Sequence, residues 1–306
     1  MKKYGGQAKA ADALWNRRRK FLLGLVRYAV LMGIGFIFLY PILYMVVNSF
    51  KSVEDLVDPA VEWLPTGLCF DNFLKAYKTL DFGNSFVNSI ITSAIPAVFQ
   101  TMACAVVGYG LARFPVPGKK LIVGLIVASF VVPAQITLIP RYLMFSNYNM
   151  LNTILPQILP ALFGQGLKSS IFILVFQNFF RSYPLALDEA AYLDGAGILT
   201  VFFKVALPLA RASIVVTMLF SFVWYWNETA QAALLFGTVI KTLPMKLGSF
   251  AASYTNLYGT TGSHSTVNEA ISLAGTFLSI LPLLVLYIIL QKQFVESIEK
   301  VGITGE

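Results

Sequence analysis

The sequence predicts an all-α membrane protein that crosses the bilayer six times, and three observations carry that prediction. The 306 residues are 57% hydrophobic and 12% charged, with a mean hydropathy of +0.70, more apolar material than one water-soluble core can hide. Six mostly apolar runs reach about 20 residues or more, the length of helix that spans a hydrocarbon layer. Six crossings put both termini on one side, and on that layout sixteen Lys and Arg lie on the side of the termini against six on the other. Basic residues are held in the cytoplasm, so both termini are placed there.

Residues 1–25 form a basic cytoplasmic tail that includes Arg17-Arg18-Arg19-Lys20. The first span, Val26–Ser49, stays apolar past Pro41. It is too long for a signal-peptide core and lacks a small-residue cleavage site, so it reads as a retained helix. The second and third spans are Ser85–Arg113 and Leu121–Phe145, and the fourth is Ile154–Phe180. Pro156, Pro160, Gly164 and Gly166 weaken that fourth helix, and Lys168 sits in its middle, which predicts a kink or a break. The fifth span is Ala212–Phe236 and the sixth Ile271–Gln291. Residues 26–293 thus make a single transmembrane domain, with 294–306 a cytoplasmic tail and no internal repeat at 20–50 residues. A net charge of +8 and a pI near 9.4 do not indicate nucleic acid, because the basic residues flank apolar spans and form no stripe with aromatics. Cys69 and Cys104 lie 35 residues apart, in an outer loop and within a span, and read as free thiols.

Between the fourth and fifth spans lies a polar loop, 181–211. Pro184 suits a first helical turn, Leu187, Ala190 and Ala191 make an i, i+3, i+4 apolar edge, and Gly195 can take the left-handed conformation that ends a helix. After Gly195-Ala196-Gly197, Ile198 to Val205 can form a second helix that Pro208 interrupts or kinks. The product is a helix–turn–helix at the cytoplasmic face, with small Ala side chains leaving a flat surface for close approach.

Glu189-Ala190-Ala191, Gly195 and Val205-x-Leu207-Pro208 together resemble the EAA loop of the membrane subunits of ATP-binding-cassette importers. Val205 stands where Ile is common. Leu151-Asn152-Thr153, Asp194-Gly195-Ala196, Leu207-Pro208-Leu209, Trp226-Asn227-Glu228 and Leu281-Pro282 are similar to the carbohydrate-importing branch, of the maltose-transporter type, and to its smaller membrane subunit. The tail Phe294–Gly305 departs from that pattern, with Ser297 and Val301 in place of glycines and Thr304 in place of a lysine. The resemblance implies a permease subunit in a bacterial plasma membrane, forming the path for a sugar or oligosaccharide by alternating access. It also implies a second permease subunit, an ATPase dimer docked at the loop and an external solute-binding protein. Glu189 would pair with a basic group of the ATPase, Ala190 and Ala191 would supply contact surface, Gly195 the turn, and Asp194, Leu207 and Pro208 the rest of the coupling motif. ATP and Mg would be bound by that partner, and this chain would hold no cofactor.

Two further sets of residues are candidates for the pathway. Ser213, Thr217, Ser221, Trp224 and Glu228, spaced 4, 4, 3 and 4, share one face of the fifth span. Helix packing or pathway lining fits the small residues, and Trp224 with Glu228 fits either the outer mouth or an aromatic belt. Lys168 is an intramembrane charge, which either touches sugar hydroxyls or a uronate, or snorkels out through a broken helix, and Gln135 and Gln165 are further intramembrane polar groups. No G-x-x-x-x-G-K-[ST] occurs, since Gly118-Lys119-Lys120 and Gly166-Leu167-Lys168-Ser169 lack the required residues. His264, the single histidine, has no Ser or Cys partner in view and reads as a solvated loop residue. An ion-driven secondary transporter would call for paired intramembrane carboxylates and an internal repeat, a scaffold or channel has no need of a docking helix, and an importer for a solute other than a sugar is the nearest alternative.

Overall fold

The computed structural model describes residues 4–259 and 267–303, with side chains over 19–133, 135–259 and 267–292. His264 and the end of the C-terminal tail lie outside the described residues. The elements among the described residues are helices, in the order α1 (Tyr4–Ser49), α2 (Val53–Val57), α3 (Asp71–Thr79), α4 (Phe82–Arg113), α5 (Lys119–Val131), α6 (Ala134–Asn147), α7 (Leu155–Leu162) and α8 (Ser169–Ser182). There follow α9 (Ala186–Leu193), α10 (Ile198–Val201), a π-helical turn at Phe202–Ala206, α11 (Leu207–Leu209), α12 (Arg211–Asn227), α13 (Ala230–Phe236), α14 (Leu243–Gly248), α15 (Phe250–Tyr258) and α16 (Glu269–Ile303).

The chain divides into two compact units, residues 1–74 with 268–277 and residues 75–267 with 278–306. In the first, the segment that follows α1 is closed by buried polar groups. Lys51 is 4% exposed, and its Nζ donates to the carbonyls of Val61 and Glu62 at 3.0 Å each. Asn72 donates to the carbonyls of Ser49 and Lys51. Ser52 and Asp55 form a capping box at the start of α2. Asp55 also accepts from the Thr66 hydroxyl at 2.6 Å, a bond that holds its carboxyl below the usual carboxylate range. At the end of α1, the Tyr44 hydroxyl donates to Glu269 at 3.0 Å.

In the second unit α4 is the hub, packed against α7, α8 and α12. Close approach of α4 to α8 needs a glycine, since a Cβ on Gly108 would fall on the Phe176 side chain and 2.9 Å from the backbone nitrogen of Gln177. Around that contact Cys104, Tyr109, Phe172, Phe176, Phe180 and Phe202 form a buried aromatic core.

Three helices among the described residues are by themselves long and apolar enough to cross a membrane, Arg19–Ser49, Phe82–Arg113 and Glu269–Lys292, and three bent pairs raise the number to as many as six. The predicted fourth span is broken, as Pro160, Gly164 and Gly166 led us to expect: α7 stops at Leu162 and α8 restarts at Ser169. Between them Gly164 and Lys168 both take left-handed backbone angles. The 14 residues of α8 cover about 21 Å, so α7 is needed to complete the crossing of a roughly 30 Å layer.

Three expectations need correction. The third span is not continuous, because α5 meets the helix over Gln135–Asn147 at 99°. Pro133 lacks an N–H and pushes Val132 into an extended conformation, with φ −66° and ψ 121°. The fifth span ends at Asn227, because Glu228 leaves the helical region and its carboxylate accepts from the backbone N–H of Gln231 at 2.9 Å, starting α13 afresh. Nor does Pro208 interrupt the second loop helix. That helix continues to Leu209, and the 79° bend to α12 falls at Ala210. The wide turn at Phe202–Ala206 shifts the carbonyls that a proline ring would otherwise strike.

Candidate functional site

The loop 181–211 is a helix–turn–helix built as its residues dictate. Tyr183, which precedes Pro184, is held extended at φ −78° and ψ 152°, so α8 ends there, and α9 leaves at 74°. Asp188 and Glu189 occupy the first turn of α9, where the helix dipole favours acids. At the other end Gly195 has φ +82°. The N–H of Ala196 bonds back to Ala191 and that of Gly195 to Tyr192, both at 3.0 Å. This pair of bonds is a Schellman motif, and its left-handed position is one that glycine fills without strain.

Adjacent acids in α9 have opposite fates. Glu189 is exposed and has no ion-pair partner among the described residues. Asp188 is 2% exposed, with Oδ2 3.1 Å from Nε of Arg113, the last residue of α4, and Oδ1 accepting from the Tyr183 hydroxyl at 2.6 Å. Arg113 also donates from Nη2 to the Tyr183 carbonyl at 2.9 Å, and its guanidinium carbon stands 3.8 Å from the centre of the Tyr183 ring. Burial, then the bond to Asp188, push the Tyr183 hydroxyl up to about 12, so it remains a protonated donor at neutral pH. One ion pair therefore joins α9 to the end of α4, and three further interactions tie the pair to Tyr183 between α8 and α9.

The rest of the loop offers surface. Ala190, Asp194, Gly195 and Pro208 are exposed, while Ala191 and Leu207 are half-buried. Leu193 is 89% and Leu199 72% exposed, and Leu185, Leu187, Tyr192 and Ile198 are also exposed. Exposed apolar surface of this kind marks a contact with another protein or with the membrane.

Of the pathway candidates, the structure brings Ser221 alone into a buried polar cluster. Gln100, fully buried on α4, donates to the Leu167 carbonyl at 2.6 Å and to the Ser221 hydroxyl at 3.3 Å. The Tyr225 hydroxyl donates to Gln100 Oε1 at 2.6 Å and accepts from the Leu167 N–H at 3.2 Å. These bonds tie the α7–α8 break to α4 and α12. Ser213 and Thr217 are buried where α12 packs on α4, so their face is taken up by helix packing. Trp224 packs at a tilt between Phe172 and Phe220, with ring centres 5.2 and 5.9 Å away, and Glu228 accepts from the Gln231 N–H at the start of α13. Gln135 is exposed next to the α5–α6 bend. The Gln165 carbonyl accepts from Arg141 at 3.5 Å. Lys168 is exposed at the start of α8, its ammonium 5.3 Å from the Phe130 ring centre.

Sequence reasoning missed Arg113, Asp188 and Tyr183, and around the α7–α8 break Gln100, Arg141, Gln157, Tyr225 and Gln231. Arg141, Gln157, Gly166, Tyr225 and Gln231 line a cavity of about 10 Å³, room for one water, and the buried Oε1 of Gln157 has no partner. An amide inside a long apolar run is a usable signal, and Gln100 carried it. A larger polar cleft of about 520 Å³ lies between the start of α4 and the segment preceding α14, lined by Asp81, Asn84, Asn88, Thr238, Lys241 and Lys246 among others.

Residues 104–300 match the family model described as binding-protein-dependent transport system inner membrane component. The chain is 30% identical over 290 residues to an osmoprotective compounds uptake permease protein of Synechocystis, covering 92% of this chain and 93% of the relative. It is 28% identical over 293 residues to a diacetylchitobiose uptake system permease protein of Streptomyces coelicolor, covering 95% and 92%. The fold is similar to one chain in the crystal structure of a bacterial ABC transporter involved in the import of the acidic polysaccharide alginate, with a TM-score of 0.73 at 22% identity over 90% of this chain and 98% of that one.

Proposed function

The chain belongs to the binding-protein-dependent transport system inner membrane components, and from that membership we propose that it is the permease subunit of an ATP-driven importer of a sugar or oligosaccharide, docked on its ATPase through the loop 181–211. The observation that carries this reading is the exposed helix α9, with Glu189 unpaired and Leu193 almost fully exposed beside a glycine-closed turn. Glu189 meets a basic group of the ATPase, and Ala190 allows close contact. ATP and Mg belong to that partner, and the chain itself is a transport subunit. The saccharide class follows the name of the Streptomyces relative, and the cleft of about 520 Å³, lined by the charged Asp81, Lys241 and Lys246 as well as by Asn84, Asn88 and Thr238, has donors and acceptors for sugar hydroxyls.

On this reading a second permease completes the pathway, a solute-binding protein delivers the sugar from outside, and both termini and the loop face the cytoplasm of a bacterial plasma membrane. Closure of the ATPase dimer drives α9 and switches the bundle between inward-facing and outward-facing states. The test is purification of the chain from its native membrane in gentle detergent, followed by uptake of labelled mono-, oligo- and acidic saccharides, with a small polyol as a non-sugar control. An ATPase subunit and a second permease are expected in the complex, with uptake of a saccharide. Absence of an ATPase overturns the importer reading, and uptake of the polyol alone overturns the sugar.

A further inference from the structure

Resting on the docking reading above, we propose that Arg113 is the positioning residue through which movement of α9 reaches the membrane bundle. Both covalent links between α9 and the bundle pass through turns, at Tyr183-Pro184 on one side and at Gly195 and Ala210 on the other, and turns are poor transmitters because they absorb rotation in their backbone angles. Arg113 bypasses the first of them. Its guanidinium contacts the Asp188 carboxylate in the first turn of α9 and both the carbonyl and the ring of Tyr183. The Arg113 and Asp188 side chains are 9% and 3% exposed, so water competes little for either charge. A planar guanidinium that pairs with a carboxylate, donates to a carbonyl and stacks on a ring fixes orientation as well as distance.

Above Arg113, α4 is a continuous helix to Gln100, without a proline in that stretch. Thirteen residues of helix put Gln100 about 20 Å deeper. There its amide holds the Leu167 carbonyl in the break between α7 and α8, and it shares Tyr225 with α12. One stiff rod thus has the docking helix at one end and the weakest point of the bundle at the other.

A purely structural anchor has no need of charge, because an apolar pair of similar volume holds two helices as well as a buried ion pair does, without the cost of desolvating two ions. That difference supplies the test. The double variant Arg113→Met/Asp188→Leu leaves no buried charge without a partner, and the exposed face of α9 is unchanged. Leu162, at the end of α7 and 43% exposed, is replaced by cysteine as a reporter in a Cys69→Ser background. Its labelling by a water-soluble maleimide is measured on the complex with its ATPase, without nucleotide and after trapping with ATP and vanadate.

With Arg113 present the labelling rate is expected to change about tenfold on trapping, within the usual range of coupling between sites. In the double variant the ATPase is expected to co-purify and hydrolyse ATP while the labelling rate stays constant. The proposal is overturned by an unchanged tenfold response in the double variant, by the absence of any response with Arg113 present, or by loss of the ATPase from the double variant alone, which would make the pair an assembly contact. A complex that lacks the ATPase even with Arg113 present overturns the docking reading itself, and this proposal with it.

Discussion

At Gly195 one backbone angle decides how α9 ends and where the second loop helix begins. A Cβ there would meet no heavy atom within 4 Å, so the penalty for any other residue is conformational. It amounts to about 1–2 kcal/mol for a side chain forced into the left-handed region, and Asn and Asp bear it best. Charge separates those two. Asp would add a negative group beside Asp194, at the negative end of the α9 dipole, which costs a further ~0.3–1 kcal/mol. Gly195→Asn is expected to keep most of the uptake measured in proteoliposomes. Gly195→Asp is expected to lower uptake by about tenfold while the protein inserts normally and ATP hydrolysis continues. Wild-type uptake by the Asp variant would refute a mechanical role for this turn. The glycine was legible from sequence because a left-handed stop has a local signature. Asp188 was not legible, since its partner Arg113 lies 75 positions away and the sequence shows it only as one more cytoplasmic charge.

At the scale of elements, hydropathy outlines apolar runs but not how they bend, and three of the six are single long helices in the structure. An average over a run registers Pro133 as one residue among many, whereas the backbone registers it as a 99° turn. Glu228 was legible as polar but not as the acceptor that starts α13, because nothing local tells a capping carboxylate from a lining one. The break between α7 and α8 was legible, since four helix breakers within 11 residues outweigh the apolar signal. Helix spacing escapes sequence altogether, and α4 shows why. Gly108 and Gly110 lie two positions apart, yet a Cβ on Gly110 meets nothing within 4 Å while one on Gly108 collides with Phe176 and the backbone of α8. Gly108→Ala is therefore expected to lower stability by about 1–3 kcal/mol through overpacking, seen as a lower unfolding temperature of the purified protein. Gly110→Ala should be neutral or slightly stabilising, since alanine favours the helix by ~1 kcal/mol. Equal effects at the two positions would contradict the packing of α4 on α8.

At the scale of the whole molecule, the reading requires one orientation in the bilayer, and the chain carries its own reporter for it. The proposed reading puts the side of the termini and the loop 181–211, with its excess of basic residues, in the cytoplasm, and the segment that contains Cys69 outside. Cys69 is half-buried, whereas Cys104 is fully buried in α4, so a reagent confined to water reaches the first and not the second. A membrane-impermeant maleimide applied to intact cells, with the outer envelope opened where there is one, is expected to label the unmodified chain at Cys69. In a Cys69→Ser background that labelling should vanish. A cysteine introduced there at Leu193, which is 89% exposed on α9, should react after the plasma membrane is permeabilised and not before. Reaction at position 193 in intact cells would put the loop on the outer face, where an ATP-driven partner has no access to it, and the charge asymmetry, the docking surface and the role given to Arg113 would fail together.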